Sequence, residues 1–304
     1  MADPIRLATY AGDFSRKGPG LLLRDLLKDD PVPGLVTIMQ AAPDIVLLTD
    51  IDYDAGQAAL KTLRTRLKDK GLDLPYLFSR RPNSGMATGL DLDGDGRTGG
   101  PRDAQGFGYY SGQGGQAILS RWPLELTVDF SGMLWRDAPE TLMEQGDPAH
   151  DVQRLSSSAH WAVSVAHPLG KITLLTAAAT PPVFDGPEDR NGRRNRDEIL
   201  LWLHYLDGKL DQAPGSPVVY LGNLNLDPNR GDGLRDAAAR VLAHPRLQDP
   251  LPDRPTVAWD AVGEMRVSYV LPSTDLRVSG AGISPPEPDA GPHRLVWVDL
   301  EMPH

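Results

Sequence analysis

The chain has 304 residues, 40% of them hydrophobic and 24% charged, and its formal net charge is −10 at pH 7. These values predict a soluble, folded chain with a substantial core and argue against disorder. The longest apolar runs fall far short of the roughly 20 residues of a membrane-spanning helix. The negative charge argues against non-specific nucleic-acid binding, because such binding depends on Lys and Arg to neutralise phosphates.

The absence of cysteine excludes disulfides, thiolate metal sites and a cysteine nucleophile. The N-terminal "MADPIRLATY" has no signal-peptide pattern, although a mature exported chain with a new initiator Met would read the same way. The location therefore stays open, and we expect export slightly ahead of a cytoplasmic location. We also expect a monomer.

Short β-rich apolar runs alternate with helical patterns along the chain. Strands are predicted at 5–10, 44–48, 116–120, 126–130, 160–166, 172–177, 218–221, 265–271 and 293–300. Helices are predicted at 20–27, 56–68, 194–210 and 233–242. The turn residues of "HPLGK" (167–171) predict a hairpin, so the sheets should be mixed. Gly- and Pro-rich stretches at 82–115, 179–195 and 283–292 are typical of long functional loops. We expect one domain over residues 1–304.

Seven segments, taken in order, form a shared pattern. They are "IRLATYAGDF" (5–14), "PDIVLLTDIDYD" (43–54), "GGQAILSRWPL" (114–124), "LLTAAATPP" (174–182), "VVYLGNLNLDP" (218–228), "RVSYVLPS" (266–273) and "HRLVWVDL" (293–300). Together they resemble the endonuclease/exonuclease/phosphatase superfamily, the metal-dependent phosphoesterases related to deoxyribonuclease I and the sphingomyelinases. The resemblance implies an α/β fold, a four-layer α/β/β/α sandwich of two mixed sheets, with the site at one end of the sheets.

The resemblance also implies a reaction. In the family a Mg²⁺ held by carboxylates and amides polarises the phosphoester, and a His oriented by an Asp draws a proton from water. This sequence departs from that set in its first half. Ala11 stands where an Asn is expected, and Asp50 stands where the metal-binding Glu is expected. Ala178 occupies the position of the first catalytic His.

The second half of the chain departs in the same way. The family's "GDxN" is here "GNLN", so Asn223 replaces the Asp while Asn225 matches. Ser268 replaces the Asp that orients the final His, and only that His, His293, matches beside Asn225. The substitutions remove charge from the site, which predicts a loss of most of the catalysis.

Other carboxylates near the first two strands leave a rescue open. Strand alternation places Asp13 on the side of Ala11 and Asp52 on the side of Asp50, so Asp13, Asp50 and Asp52 could rebuild a weak Mg²⁺ or Mn²⁺ site. The alternative is that these residues are solvated loop acids. His293 is likewise either a catalytic residue or a histidine that simply begins a strand.

The segment "DLDGDGRTGGPRD" (91–103) suggests a second cation site. Asp91, Asp93 and Asp95, followed by Gly96, reproduce the first half of a calcium loop. Position 12 is Arg102 instead of the bidentate Glu, and Asp103 lies one residue beyond. Ca²⁺ binding and a polar loop whose Asp and Gly residues make turns both remain open.

The segment "FDGPEDRNGRRNRDEI" (184–199) suggests a substrate-binding loop, since the family commonly offers an Arg from this position. Arg190, Asn191, Arg193 and Arg194 lie at a predicted helix start, where guanidinium groups and backbone N–H groups bind anions. The alternative is a solvated network in which these arginines pair with five neighbouring acids: Asp185, Glu188, Asp189, Asp197 and Glu198.

Two functions follow. The first is a protein with a phosphoesterase fold that binds a phosphate-bearing ligand or a protein partner with little or no hydrolysis. The second is an active but divergent metallo-phosphoesterase that uses Asp13, Asp50, Asp52 and His293. The number of substituted catalytic positions favours the first.

Overall fold

The computed structural model describes residues 4–28, 30–210, 212–215 and 217–302. The strands are β1 (Ile5–Tyr10), β2 (Ile45–Ile51), β3 (Tyr76–Phe78), β4 (Gly115–Ser120), β5 (Leu124–Asp129), β6 (Trp161–His167), β7 (Gly170–Ala178), β8 (Val218–Asn223), β9 (Val257–Trp259), β10 (Gly263–Met265), β11 (Ser268–Pro272), β12 (Arg277–Ile283) and β13 (Val296–Glu301). The helices are α1 (Leu21–Leu26), α2 (Leu35–Ala41), α3 (Ala58–Asp69), α4 (Arg190–Leu206) and α5 (Asp236–Leu242), with short 3₁₀ turns at Trp135–Asp137 and Pro288–Ala290. Within these residues no helix has the length and apolar character to cross a membrane.

Two mixed sheets form the centre of the fold. One has the strand order β12-β13-β1-β2-β4-β3, and the other has the order β11-β8-β7-β6-β5. The pairs β1–β2 and β7–β8 are parallel, and their neighbours in each sheet pair antiparallel. The hairpin predicted at 167–171 joins β6 to β7. A small hairpin of β9 and β10 stands apart from both sheets.

Three apolar layers hold these elements together. Between the sheets lie residues such as Leu7, Leu47, Leu174 and Leu221, all buried. A second layer packs α1, α2 and α3 on the outer face of the six-stranded sheet, and a third packs α4 and α5 on the five-stranded sheet. Alternate strand residues therefore face opposite layers. The predicted α/β/β/α sandwich is confirmed.

Several predicted boundaries were wrong. The predicted strand 265–271 is divided, because Met265 pairs with β9 while Ser268 begins the pairing with β8. The last strand begins at Val296 instead of His293, since His293 bridges to Val257. The sequence patterns missed α2, β3, β9, β10 and β12. In β12, Gly280 and Gly282 weaken the strand pattern, but Gly282 is required because a Cβ there would lie 2.5 Å from the Trp297 ring.

Candidate functional site

A row of three paired residues forms one wall of the site. Ala178 at the end of β7 lies opposite Asn223 at the end of β8, and Asn223 lies opposite Ser268 at the start of β11. Leu221 lies two residues before Asn223 on β8, and Val270 lies two residues after Ser268 on β11. Both pack between the sheets. Alternation therefore turns Asn223 and Ser268 toward the other sheet as well. Three positions where the family resemblance implies His, Asp and Asp thus lie side by side.

Close backbone packing fixes this row. Gly222 has a φ of 144°, and a Cβ at this position would lie 1.9 Å from the carbonyl oxygen of Ala177. Only glycine allows β8 to lie this close to β7 immediately before Asn223. Asn223 is buried, and its Oδ1 accepts the N–H of Asn225 at 3.1 Å. The Asn225 amide in turn donates to the carbonyl of Ala179 at 2.8 Å.

Thr256 connects the row to His293. The Thr256 hydroxyl oxygen accepts the N–H of Ser268 at 3.0 Å, and its carbonyl accepts the N–H of Arg294 at 2.8 Å. His293 itself packs edge-on against Trp259, with ring centroids 5.5 Å apart. Burial lowers the pKa of His293 to about 4. Its Nδ1 has no hydrogen-bond partner within the described residues, so no carboxylate orients the ring.

The six-stranded sheet supplies the opposite side of the site. The backbone N–H of Asp13, just beyond β1, donates to the carbonyl of Ala290, which precedes His293 by three residues. Since β1 and β2 are parallel neighbours, Asp13 and Asp50 follow adjacent strand ends. Gly114 lies beside both Asp50 and Asp52, because its N–H donates to Asp52 at 3.3 Å and a Cβ on it would lie 3.0 Å from an Asp50 oxygen. The structure thus brings Asp13, Asp50, Asp52 and His293 to the same end of the sandwich as Asn223 and Asn225.

Asp50 lies on a β-bulge. The pairing of β2 with β4 shifts between Thr49 and Ile51, and Asp50 has a φ of 62°. A non-glycine residue with positive φ costs free energy and is over-represented at functional sites. The surrounding protein, followed by the charges of Asp13 and Asp52, raises the pKa of Asp50 to about 6. Asp50 is nevertheless exposed, so water reaches the residue.

Asp52 differs from Asp50 because it is already hydrogen-bonded. It is 8% exposed, and it accepts the hydroxyl of Ser15 at 3.0 Å and the N–H groups of Arg16 and Gly114 at 2.9 and 3.3 Å. Tyr110 lies nearby, with its hydroxyl donating to the carbonyl of Arg16 at 3.4 Å, and burial together with the neighbouring Asp52 raises the pKa of Tyr110 well above its ordinary value. These donors leave Asp52 little capacity to bind a metal ion.

The three acids fit a metal ion only in part. Asp50 accepts no hydrogen bond from the described residues and is free to act as a ligand, whereas Asp52 is saturated. Asp13 lies 3.6 Å from the guanidinium of Arg16. Across the described ranges, the oxygens of Asp91, Asp93 and Asp95 lie within 4.8 Å of one another, whereas Asp13, Asp50 and Asp52 do not form such a group. A cation at this site would be bound mainly by the carboxylate of Asp50.

The arginines at the start of α4 are used in structural contacts. Arg193 forms a bidentate pair with Asp147 at 2.8 Å, and Arg194 is buried with its donors on the carbonyls of Leu155, Gln105 and Arg154. Arg190 donates to the carbonyl of Pro148 and to Gln153. This is an ion-pair and hydrogen-bond network. Arg193 pairs with Asp147, an acid outside the expected group, while Arg196 does pair with Asp197 at 2.8 Å.

The N-terminus of α4 is closed by an acidic side chain. The Asp185 carboxylate accepts the N–H of Asn191, and the Asn191 side-chain amide donates to the carbonyl of Val183. These bonds explain why α4 begins at Arg190 instead of the predicted residue 194, since capping satisfies the first free N–H groups. They also oppose an external anion at this helix end.

The loop 91–103 is a compact turn. Asp91 accepts the N–H groups of Gly94, Asp95 and Gly96, and the oxygens of Asp91, Asp93 and Asp95 lie within 4.8 Å of one another. This acidic triad could bind a divalent cation. Asp103 instead closes the loop from inside, because it accepts the N–H groups of Leu92 and Gly100 at 2.8 and 2.7 Å. These bonds, that of Leu92 above all, lower the pKa of Asp103.

Glu198, expected from the sequence in a solvated ion-pair network, is instead a buried carboxylate beside the site. Glu198 of α4 is fully buried, and it accepts the N–H and hydroxyl of Ser157 at 2.6 and 2.8 Å and the N–H of Thr180 at 2.7 Å. Asn195 donates to the carbonyls of Thr180 and Leu224. Both side chains fix the backbone that follows β7 and β8. In the sequence they look like ordinary polar residues of an amphipathic helix.

The fold and this arrangement define the class of protein. The sequence profile described as "Endonuclease/Exonuclease/phosphatase family" matches residues 15–297, and the chain belongs to this family. No significant match is found among curated proteins.

Solved structures with the same fold have low sequence identity to this chain. An endonuclease/exonuclease/phosphatase from Beutenbergia cavernae is similar with a TM-score of 0.63 at 18% identity, over 99% of this chain and 72% of that one. Sphingomyelinase C from Streptomyces griseocarneus has a TM-score of 0.54 at 16% identity, over 99% of this chain and 100% of that one. The human Nocturnin catalytic domain has a TM-score of 0.54 at 13% identity, over 99% and 97%. At these identities the likeness establishes the fold alone.

Proposed function

We propose that this chain is a degenerate member of its family, which binds a phosphate-bearing small molecule at the end of the sandwich with little or no hydrolysis. One observation carries the proposal. The paired row Ala178, Asn223 and Ser268 stands in the intact backbone frame of the site but contains no imidazole and no carboxylate.

The remaining groups do not replace the lost ones. Losing a general acid or base typically costs about 10²–10⁴ in rate, and these losses combine less than additively because the groups act as a unit. His293 has a pKa of about 4 and no carboxylate partner in the described part of the chain, so it is a weak proton acceptor. The chain keeps the geometry of the family site without its proton-transfer chemistry.

A weakly bound Mg²⁺ or Mn²⁺ at Asp50 completes the proposed binding site. The carboxylate is free and exposed, and its pKa is raised first by the surrounding protein and then by the charges of Asp13 and Asp52, which a cation would offset. A divalent cation would supply the positive charge that a phosphate requires. Asn223, Asn225 and His293 offer hydrogen-bonding groups to the rest of the ligand.

A hydrolysis assay with p-nitrophenyl phosphate, bis-p-nitrophenyl phosphate and plasmid DNA in Mg²⁺ or Mn²⁺ tests the proposal. We expect turnover at background for the natural protein, and a measurable gain only when Ala178→His, Asn223→Asp and Ser268→Asp are combined. Metal-dependent turnover that Asp50→Ala abolishes would overturn this proposal and establish the active phosphoesterase that uses Asp13, Asp50, Asp52 and His293.

We also propose that the acidic triad of the 91–103 loop binds Ca²⁺ as a structural ion, separate from the phosphate site. The three aspartates match the alternate ligand positions of a calcium loop. Their oxygens already lie within reach of one cation.

A further inference from the structure

Two exposed aromatic side chains lie together on the loop that precedes β4. Phe107 is 60% exposed and Tyr109 is 62% exposed, and their rings meet edge to face with centroids 5.6 Å apart. Exposing two neighbouring aromatic rings forfeits the favourable free energy of burying them. A loop that keeps such rings in solvent marks a contact surface when the loop itself is fixed.

The backbone under these rings is fixed by specific hydrogen bonds. The N–H of Tyr109 donates to the Gln113 side chain at 2.7 Å, and the carbonyl of Gly112 accepts the N–H of Tyr53 at 2.7 Å. The side chain of Ser84 donates to the carbonyl of Gln113. The rings are therefore held in solvent by a well-anchored loop.

The same loop forms part of the candidate site. The Gln113 amide donates to the carbonyl of Arg16 at 3.0 Å, and the N–H of Arg16 donates to Asp52. The hydroxyl of Tyr110, next to Tyr109, donates to the carbonyl of Arg16 at 3.4 Å. The loop reaches Asp50 at Gly114, where a Cβ would lie 3.0 Å from an Asp50 oxygen, so Phe107 and Tyr109 lie on the loop that borders Asp50.

The chemistry of this border restricts what it binds. Two rings offer far less than the roughly 800 Å² per partner of a stable protein interface. The net charge of −10 and the neighbouring aspartates oppose an anionic membrane or a nucleic-acid polymer. A planar heteroaromatic ring matches both the size and the π surface of the pair, because stacking requires only a flat face.

We propose that Phe107 and Tyr109 recognise a planar base on the phosphate-bearing ligand, which makes a nucleotide the ligand class. This inference rests on the proposed binding function. The phosphate lies toward Asp50 and its cation, and the base lies against the two rings.

Calorimetric titration in Mg²⁺ with AMP and with ribose 5-phosphate tests the inference, because the two probes share the phosphate and differ in the base. We expect AMP to bind roughly tenfold or more tighter, as stacking on an aromatic side chain contributes. Phe107→Ala combined with Tyr109→Ala should remove that advantage. Tyr76→Ala is the control and should leave the AMP preference intact. Tyr76 also has an exposed ring, but its backbone pairs with Ser120 at the far end of β4. Thermal melts verify that each variant is folded.

The other outcomes are distinct. Equal binding of the two probes, or an AMP preference that survives in the double variant, overturns the inference and leaves the proposed function standing. Absence of binding by both probes overturns the proposed function and the inference together. Zwitterionic phosphatidylcholine vesicles that bind the natural protein but not the double variant, without an AMP preference, would assign the rings to a lipid surface instead.

Discussion

Replacing Asp50 with Asn should stabilise the protein at neutral pH. A carboxylate whose pKa is raised in the folded state is most favourable when protonated, so its penalty is absent at low pH and fully present above the folded pKa. For Asp50 the penalty develops as the pH rises from about 4 to above about 6. Asp50→Asn keeps the shape of the side chain and removes the charge that Asp13 and Asp52 repel.

The magnitude follows from the pKa. A folded value of about 6 against the ordinary 3.8 corresponds to roughly 3 kcal/mol at pH 7.5 if converted in full. Because the side chain is exposed, solvent screening reduces this to about 1 kcal/mol. For a chain of this size we expect a rise in Tm of about 2–4 °C.

Thermal unfolding followed by circular dichroism at pH 7.5 and at pH 4 measures the effect. The rise should be present at pH 7.5 and nearly absent at pH 4. Asp299→Asn is the matched control, because Asp299 pairs with Arg6 at 2.7 Å and its loss should lower Tm at pH 7.5. A lower Tm for Asp50→Asn at pH 7.5, or an equal shift at both pH values, would refute the electrostatic account of Asp50.

Three further predictions concern other parts of the molecule. Arg193→Ala should destabilise the fold by about 3 kcal/mol, since it leaves the mostly buried Asp147 without its arginine partner. Chemical denaturation measures this loss, and Arg24→Ala is the control because Arg24 is an exposed arginine paired with Asp25. An effect of Arg193→Ala no larger than that of the control would contradict the prediction. The imidazole of His293, with its pKa of about 4, should show no protonation step between pH 5.5 and 8 in NMR spectra assigned with His293→Gln, whereas a step near 6.5 would show that burial does not depress its basicity. Ca²⁺ should raise Tm and a chelator should lower it again, because binding to the folded state alone adds stability. Asp91→Asn combined with Asp93→Asn should abolish this response. If Ca²⁺ does not change the Tm of the natural protein, the proposed calcium site in the loop is wrong.

The fold was predictable from the sequence because its strands are strongly patterned. Apolar runs such as 45–48 and 218–221 lie in the buried sheets. The elements that were missed owe their structure to distant contacts. The seven-residue helix α2, for example, has its first N–H groups accepted by Glu287, about 250 positions away in the chain.

The candidate site was predictable in position more than in chemistry. The ends of strands located Asp50 and Asn225, because parallel strands direct such residues to one edge, and His293 was located because it comes just before a strand antiparallel to β1. Hydrogen-bond saturation could not be read from the sequence. Asp50 and Asp52 look equivalent at alternate positions, yet only Asp50 is free, because Ser15, Arg16 and Gly114 converge on Asp52 from two separate segments.

The segment between β5 and β6 has few regular elements, but it is bound tightly to α4. Trp135 donates to Asp197 at 2.7 Å, Arg193 holds Asp147, and Leu155 packs against Leu201. Loops held mainly by solvent-exposed contacts open independently of the domain, whereas buried contacts make a segment unfold with the element that it covers. Residues 130–160 therefore belong to the same cooperative unit as α4. Ser157 of this segment donates to the carbonyl of Ala178 at 3.3 Å, so a ligand beside Ala178 meets backbone that is already ordered, and its affinity is not reduced by the entropy of ordering it.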